Sequence, residues 1–246
     1  MNFKYIKSLL PAIAFTIGLS SCIGDLDVDP TIDKSTSMEF ERNAVFAKIY
    51  ANMALTGQQG PSGNQDIADI DEGTSDFSRQ LWNMNELPTD EAICSWGDAG
   101  IPEYNFATWD ASHGMVTCLY YRLYFGITVA NYFLTETESQ ADDSTVAMQR
   151  AEARFLRALY YYYAMDLFGN VPFLVTNSSE NAPQAKRSEV FTFIENELLG
   201  TEDTKGCIED MAEPKANTYG RADKATAWGL VARLYLNAKV YTGTAQ

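Results

Sequence analysis

The amino-acid sequence is poor in the side chains that metal-dependent and nucleophilic enzymes use. Its 246 residues include a single histidine, His113. A histidine-rich metal site is therefore excluded, and a Ser-His-Asp triad would have to be built around that one residue. We expect neither a bound metal ion nor a cofactor.

Basic residues are also scarce. The chain has 18 lysines and arginines against 33 aspartates and glutamates, which gives a formal net charge of −15. Nucleic-acid binding needs a basic stripe that neutralises phosphates, and this composition does not supply one. The hydrophobic content of 46% is nevertheless sufficient for a substantial core.

Cysteine is too rare for a disulfide-based scaffold. The chain has four, of which Cys22 belongs to an N-terminal motif described below. The other three are an odd number, so at least one thiol is unpaired in an exported protein. Because their spacing fits no zinc pattern, we expect buried free thiols at Cys94, Cys118 and Cys207.

The N-terminus has the pattern of an export signal. Lysines precede a short apolar segment at residues 9–19, which is too short to span a bilayer. The segment ends in Leu-Ser-Ser-Cys, which resembles a bacterial lipobox, where cleavage precedes an acylated cysteine. We predict a signal peptide at residues 1–21, a lipidated Cys22 and an acidic tether at residues 22–37. The alternative is an ordinary secretory signal with an incidental cysteine.

The segment at residues 147–174 predicts the central helix of the fold. Ala151, Phe155, Ala158 and Tyr162 recur at helical spacing and therefore share one face. The alanines allow a neighbouring helix to approach closely, while the bulky residues fill the gaps between helices. A Gly-Asn-Val-Pro sequence ends the helix.

The same periodicity predicts further helices at residues 38–55, 116–134, 189–199 and 221–240. Ser144 is the expected N-cap of the central helix, and Ser188 that of the helix at residues 189–199. The alanine patterns of the central and last helices are alike, at a separation near that of two tetratricopeptide repeats. We therefore predict a mainly α fold, with a tetratricopeptide-like scaffold of helical pairs over residues 116–240.

Residues 56–112 differ from the rest of the chain. Glycine and proline recur there without a sustained hydrophobic period, which predicts irregular structure. So long an irregular segment is unusual in a compact domain, and long loops most often carry function. We expect this loop-rich segment to carry the ligand site.

Three stretches of the sequence carry a family resemblance: ANYFL, AEARFLRALYYYYAMDLFGNVPF and GRADKATAWGLVARLYLNAKVYTG. They resemble the SusD/RagB family of outer-membrane glycan-binding lipoproteins. The resemblance implies a tetratricopeptide-like fold that binds an oligosaccharide at the cell surface without catalysis, for import by a TonB-dependent SusC-type transporter. Family members are longer, so residues 38–246 correspond to their N-terminal region, and the C-terminal half of the family fold is absent from this sequence.

The stretches DIDEGTSDFSRQLW and NELPTDEAICSW most resemble starch-binding members of the family, which implies an α-glucan ligand. Sugar binding needs an aromatic ring against the apolar face of a pyranose and planar polar groups at its hydroxyls. The resemblance makes Trp96 the stacking ring, with Asp71 and Arg79 as hydroxyl-binding residues. An asparagine of the family has no match at Ala99, where Asp98 or a backbone group is the expected replacement.

These residues also have purely structural interpretations. Trp96 would then be a loop anchor folded into the core, and Asp71 with Arg79 an ion pair that positions the loop. We interpret Trp82 and Trp109 as packing residues. The tyrosines at 160–163 are expected to be core or partner-facing surface, and not a ligand site.

Two other functional classes are compatible with the sequence. A glycoside hydrolase needs two carboxylates on opposite sides of the scissile bond, whereas the pairs Asp71/Glu72 and Asp90/Glu91 are neighbours that diverge in direction. A helical-repeat protein that binds only proteins would use the loop-rich segment as its docking surface. Within the glycan-binding class, a fructan or another glucan is the alternative ligand.

Overall fold

A computed structural model describes residues 40–57, 65–178 and 181–243. These residues are mainly α-helical, which confirms the predicted fold class, and they belong to a compact unit, Glu41–Gln246. The predicted signal peptide, Cys22 and the tether at residues 22–37 lie outside the described residues. Within the described part of the chain, every helix is too short or too polar to cross a bilayer.

The helices in chain order are α1 (Arg42–Ala51), α2 (Phe77–Glu86), α3 (Ile101–Asn105), α4 (Gly114–Glu136), α5 (Ser144–Phe168), α6 (Arg187–Leu199), α7 (Cys207–Asp210), α8 (Lys224–Leu236) and α9 (Ala238–Thr242). A short 3-10 helix, Glu138–Gln140, connects α4 to α5. Between α5 and α6, strands β1 (Val171–Pro172) and β2 (Gln184–Ala185) pair antiparallel.

Helices α4 and α5 pack against each other as a helical hairpin at the centre of the core. They approach most closely at Gly126, where an added Cβ atom would lie only 2.4 Å from ring carbon Cζ of Tyr160. The Tyr160 hydroxyl donates to the carbonyl of Ile49 at 2.8 Å, which ties α1 to the same hairpin. A side chain at position 126 would therefore displace a ring that holds α1 to α5.

The prediction for the central helix is confirmed. Helix α5 ends at Phe168, and Gly169 follows with a φ of +80°, a conformation that favours glycine. The predicted core face is buried at every position: Ala151, Phe155, Ala158 and Tyr162. The tyrosines at 160–162 are also fully buried, so this part of the tyrosine run belongs to the core.

Both predicted N-caps are wrong. Asp143, and not Ser144, caps α5, because its carboxylate accepts the backbone N–H groups of the first turn at 2.9 and 3.0 Å. Ser188 lies inside the first turn of α6, where the side chain of Asn170 accepts the N–H of Arg187 at 2.9 Å. The N-cap residue of α6 is Lys186, whose backbone N–H donates to the carboxylate of Glu189 at 2.7 Å in a capping box.

The predicted loop at residues 56–112 is also partly wrong, because it contains α2 and α3. The buried face of α2 consists of Phe77, Gln80 and Asn83, so two of its three buried residues are amides. Gln80 donates to the carbonyl of Thr74, which satisfies its buried amide. Its apolar residues do follow a helical period, but the helix has only ten residues and lies among glycines and prolines, so the segment as a whole shows no sustained period.

Other helix boundaries in the structure also differ from the predicted ones. The predicted helix at residues 221–240 is two helices, α8 and α9, which meet at Asn237. Helix α8 begins after Asp223, whose carboxylate accepts the N–H of Thr226 at 3.0 Å. The segment between α6 and α8 contains the short helix α7.

A buried carboxylate connects three parts of the scaffold. Glu152 on α5 is fully buried, and its two carboxylate oxygens accept hydrogen bonds from Nη2 and Nε of Arg221, at 2.6 and 3.0 Å. It also accepts from the hydroxyl of Tyr50 on α1 and from the amide of Asn217. Burial and the neighbouring Glu152 carboxylate raise the pKa of Tyr50. Since a buried charge is tolerated only when paired, this network holds α1 and the segment before α8 against α5.

The three cysteines of the described region are free thiols. Cys118 and Cys207 are buried as predicted, whereas Cys94 is only half-buried, so the expectation is wrong for that residue. Burial raises the pKa of Cys118 and raises that of Cys207 to about 12. Both buried thiols therefore stay protonated and unreactive at neutral pH.

Candidate functional site

Trp96 lies on the irregular segment between α2 and α3, and 60% of its surface is exposed. The ring is therefore not a loop anchor folded into the core. The guanidinium of Arg79 lies over the indole, with Cζ 5.5 Å from the ring centroid. This cation–π contact supports one face of the ring and leaves much of the indole accessible.

Arg79 is positioned by the first turn of α2. Asp76 caps this helix by accepting the backbone N–H of Arg79 at 2.8 Å, and the Arg79 side chain then donates to the carbonyl of Gly73 at 2.7 Å. Asp71 instead accepts from the hydroxyl of Thr74 at 2.9 Å. The structural alternative of an Asp71–Arg79 ion pair is therefore wrong, because each residue binds a different partner.

Asp71 and Asp98 line one open groove of about 450 Å³, whose lining includes neither Trp96 nor Arg79. The groove also includes Asp69, Thr74 and Ala99. Ala99 is the position where the expected asparagine is missing, and the carboxylate of Asp98 stands at the same groove. The structure thus brings Asp71 and Asp98 to one groove, where their exposed carboxylates can accept hydrogen bonds from hydroxyl groups. The chain connects this groove to the Trp96–Arg79 pair, because Asp98 follows Trp96 by two residues and Arg79 donates to the carbonyl that precedes Thr74.

The segment that carries Trp96 is held at both ends through its backbone. The amide of Asn105 donates to the carbonyl of Cys94 at 2.8 Å and accepts the N–H of the same residue at 3.4 Å. At the other end, Nε2 of His113 lies 3.0 Å from the carbonyl of Gly100. Nδ1 of His113 accepts the N–H of Val116, so Nε2 carries the proton and donates. Both ring nitrogens are engaged, which leaves His113 unsuited to a catalytic triad.

A small hydrophobic cluster lies beneath the same segment. Its buried members are Leu87, Ile101, Tyr104 and Met115, and Cys94 packs against it. Gly100 has a φ of +99°, and an added Cβ atom would lie 3.1 Å from the His113 ring. The turn after Trp96 therefore requires glycine both for its backbone conformation and for close packing.

The segment that carries Asp71 is anchored by Arg122, a fully buried residue on α4. Its guanidinium donates to the carbonyl of Ser75 at 3.0 Å, to the carbonyl of Thr56 at 3.2 Å and to the carboxylate of Asp66 at 2.6 Å. Asp66 also pairs with Lys48 on α1. Sequence reasoning missed Arg122, His113 and Asn105, because their partners include backbone groups that have no sequence signature.

The comparison with known families identifies the chain's relatives. A SusD-like family model, described as "Starch-binding associating with outer membrane", matches residues 26–236. The chain belongs to this SusD-like family. The resemblance to SusD/RagB proteins is thereby confirmed.

Two curated relatives match nearly the whole SusD-like chain. Starch-binding protein SusD of Bacteroides thetaiotaomicron is 45% identical over 247 residues, which cover 99% of this chain and 43% of that protein. A SusD-like protein of Bacteroides ovatus is 24% identical over 245 residues, covering 94% of this chain and 40% of that protein. The chain therefore spans less than half the length of these relatives.

Among solved structures, a laminarin-binding SusD-like protein has a TM-score of 0.61 and 24% identity, over 81% of this chain and 40% of that chain. At this level of identity the similarity bears on the fold alone. It supports the tetratricopeptide-like helical scaffold of SusD-like proteins for the described part of the chain.

Two further tryptophans of the SusD-like chain are more exposed than expected. Trp82 on α2 is 51% exposed, and Trp109 in the segment after α3 is 41% exposed. The interpretation as a packing residue is therefore wrong for Trp82, whereas the Trp109 ring does pack against Tyr104, at a centroid distance of 6.0 Å. Neither residue lines the groove of Asp71 and Asp98.

Proposed function

We propose that this protein is a cell-surface glycan-binding lipoprotein that captures starch or maltooligosaccharide α-glucans and delivers them to a TonB-dependent SusC-type transporter in the outer membrane. The observation that carries the proposal is the exposed indole of Trp96, which Arg79 supports and which precedes Asp98 of the carboxylate groove by two residues. Belonging to a family described as starch-binding, together with 45% identity to a starch-binding relative, favours an α-glucan over a fructan or another glucan.

In this proposal the ring of Trp96 stacks on the apolar C–H face of a glucose unit. Asp71 and Asp98 accept hydrogen bonds from its hydroxyl groups, and Arg79 donates through N–H groups other than the one bound to Gly73. The site is built before the sugar arrives, because its backbone is already fixed by Asn105 and Arg122. Preorganisation of this kind lowers the entropic cost of binding.

Hydrolysis is disfavoured by the positions of the carboxylate pairs. Asp71 lines the groove that it shares with Asp98, whereas Asp90 and Glu91 line a separate groove with Leu87 and Asn105. Glycoside hydrolysis requires two carboxyl groups that flank one glycosidic bond, and these pairs do not share a groove. We therefore propose a binding protein and not an enzyme.

Affinity electrophoresis tests the binding proposal. The full-length protein is expected to be retarded in a native gel that contains amylopectin, and to release no reducing ends from it. Retardation by a fructan gel alone would replace the α-glucan with that ligand. Migration unaffected by either polysaccharide would contradict glycan binding, and release of reducing sugar would instead support hydrolysis.

We propose that the protein is attached to the membrane only through lipid at Cys22, after residues 1–21 have been removed. Residues 22–37 then form a tether, and residues 38–246 form the SusD-like region. Metabolic labelling with a palmitate analogue tests this in the native host. We expect the wild-type protein to incorporate the label and Cys22→Ala to incorporate none, while Cys94→Ala serves as the control. Equal labelling of the Cys22→Ala variant would contradict the proposed anchor.

A further inference from the structure

A second groove, lined in part by the aromatic side chain of Trp82, lies beside α2. It has a volume of about 440 Å³, and its lining includes Trp82, Asn85, Glu86, Tyr163, Asp166 and Arg233. Trp82 is the most exposed of its aromatic residues, since half of its surface is accessible. This groove is separate from the one lined by Asp71 and Asp98.

The chemistry of this groove suits a sugar. The indole of Trp82 supplies an apolar surface, while carboxylates, an amide and a guanidinium around it can bind hydroxyl groups. Such a combination of a flat ring with convergent planar polar groups is what carbohydrate recognition requires. No metal-binding cluster of His, Cys, Asp or Glu occurs here or elsewhere in the described residues.

The polar and aromatic groups of the groove are held in place by contacts of their own. Asp166 accepts from the hydroxyl of Tyr241 at 2.7 Å. The guanidinium of Arg233 lies over the Tyr162 ring, 5.7 Å from its centroid, and Tyr163 packs edge-on against Phe77. The groove is therefore preformed on α5 and α8, and does not depend on a loop rearrangement.

Helix α2 connects this groove to the proposed glycan site. Trp82 follows Arg79 by three residues, so the two lie next to each other on the helix surface, about 4.5 Å apart along its axis. Ser78, which lines the second groove, directly precedes Arg79, and Arg79 contacts the ring of Trp96. Neighbouring residues on the surface of α2 thus connect the groove of Trp82 to the ring of Trp96.

We propose that Trp82 forms a second stacking subsite for the same oligosaccharide that binds at Trp96. This inference rests on the proposed function and extends it, because it makes the length of the sugar chain a determinant of affinity. A long oligosaccharide engages both rings, and its second contact is intramolecular once the first is made. A short oligosaccharide engages Trp96 alone.

The test compares maltotriose and maltoheptaose by titration calorimetry on the full-length protein and on Trp82→Ala. We expect the substitution to weaken binding of maltoheptaose about fivefold and that of maltotriose less than twofold, so that most of the preference for the longer sugar is lost. The matched control is Trp228→Ala on α8, a tryptophan with 53% exposure that should leave both affinities unchanged. Circular dichroism checks that each variant is folded.

Each outcome bears on the subsite. Equal losses for both sugars, or no loss for either, would overturn it while leaving glycan binding at Trp96 intact. If the wild-type protein binds neither sugar but binds another glycan from a panel, the α-glucan assignment fails and the same comparison is made with short and long forms of that glycan. A wild-type protein that binds no glycan would overturn the proposed function and the subsite together. Inaccessibility of Trp82 to acrylamide in the sugar-free full-length protein would overturn the subsite alone.

Discussion

Replacing Trp96 with alanine is expected to weaken α-glucan binding at least tenfold. The ring is exposed and supported from one side by Arg79, so truncation removes the apolar surface that a glucose unit would cover. A stacking contact of this kind contributes about 1–2 kcal/mol by analogy with other aromatic contacts. Tenfold in Kd corresponds to about 1.4 kcal/mol. Titration calorimetry of the full-length protein with maltoheptaose measures the change directly.

Two comparisons make this result specific. Trp228→Ala removes an equally exposed indole from α8 and should leave the Kd unchanged. Trp96→Phe keeps a flat ring and should retain part of the affinity, which separates the stacking surface from the polar N–H group of the indole. Unchanged maltoheptaose affinity in Trp96→Ala would remove Trp96 from the proposed site.

Replacing Arg122 with methionine is expected to lower the free energy of unfolding by about 3–5 kcal/mol. Methionine keeps much of the apolar volume but leaves the carboxylate of Asp66 with Lys48 as its remaining ionic partner. The carbonyls of Ser75 and Thr56 also lose their buried donor. Urea denaturation followed by circular dichroism gives the free energy of unfolding.

The charge of Asp66 explains much of that expected loss. The double variant Arg122→Met/Asp66→Asn should therefore lose less unfolding free energy than the two single variants lose in sum. A double-mutant cycle measures this difference. Lys239→Met, an exposed change on α9, should stay within about 0.5 kcal/mol of wild type. A loss below about 1 kcal/mol for Arg122→Met would mean that Arg122 does not anchor the segment of Asp71.

The parts of the fold that the sequence predicts well are those in which apolar residues repeat with a helical period. Helix α5 is the clearest case, because its alanines and aromatic residues mark one buried face and Gly169 marks its end. Helix α2 is harder to detect although its apolar residues follow a helical period, because it has only ten residues and two positions of its buried face are the polar Gln80 and Asn83. The sequence therefore indicates the scaffold correctly but describes the loop-rich segment as less ordered than it is.

The same distinction applies to the candidate site. Trp96, Asp71 and Arg79 could be selected because a family resemblance points to them. In the structure Arg79 lies over the Trp96 ring, and Asp71 lines one groove with Asp98. Their supports could not be selected in this way, because Asn105 and Arg122 act on backbone carbonyls that any residue carries. Trp82 was assigned to packing because local sequence does not reveal which side of a partly polar helix faces solvent.

The turn that carries Trp96 is fastened at its two ends, by Asn105 at Cys94 and by His113 at Gly100. Both attachments are hydrogen bonds to main-chain atoms, so they do not depend on which side chains occupy the residues between Cys94 and Gly100. The residues at 95–99 can consequently be exchanged by mutation with little effect on the scaffold beneath. A change of carbohydrate preference can therefore be made within this turn without a change of fold.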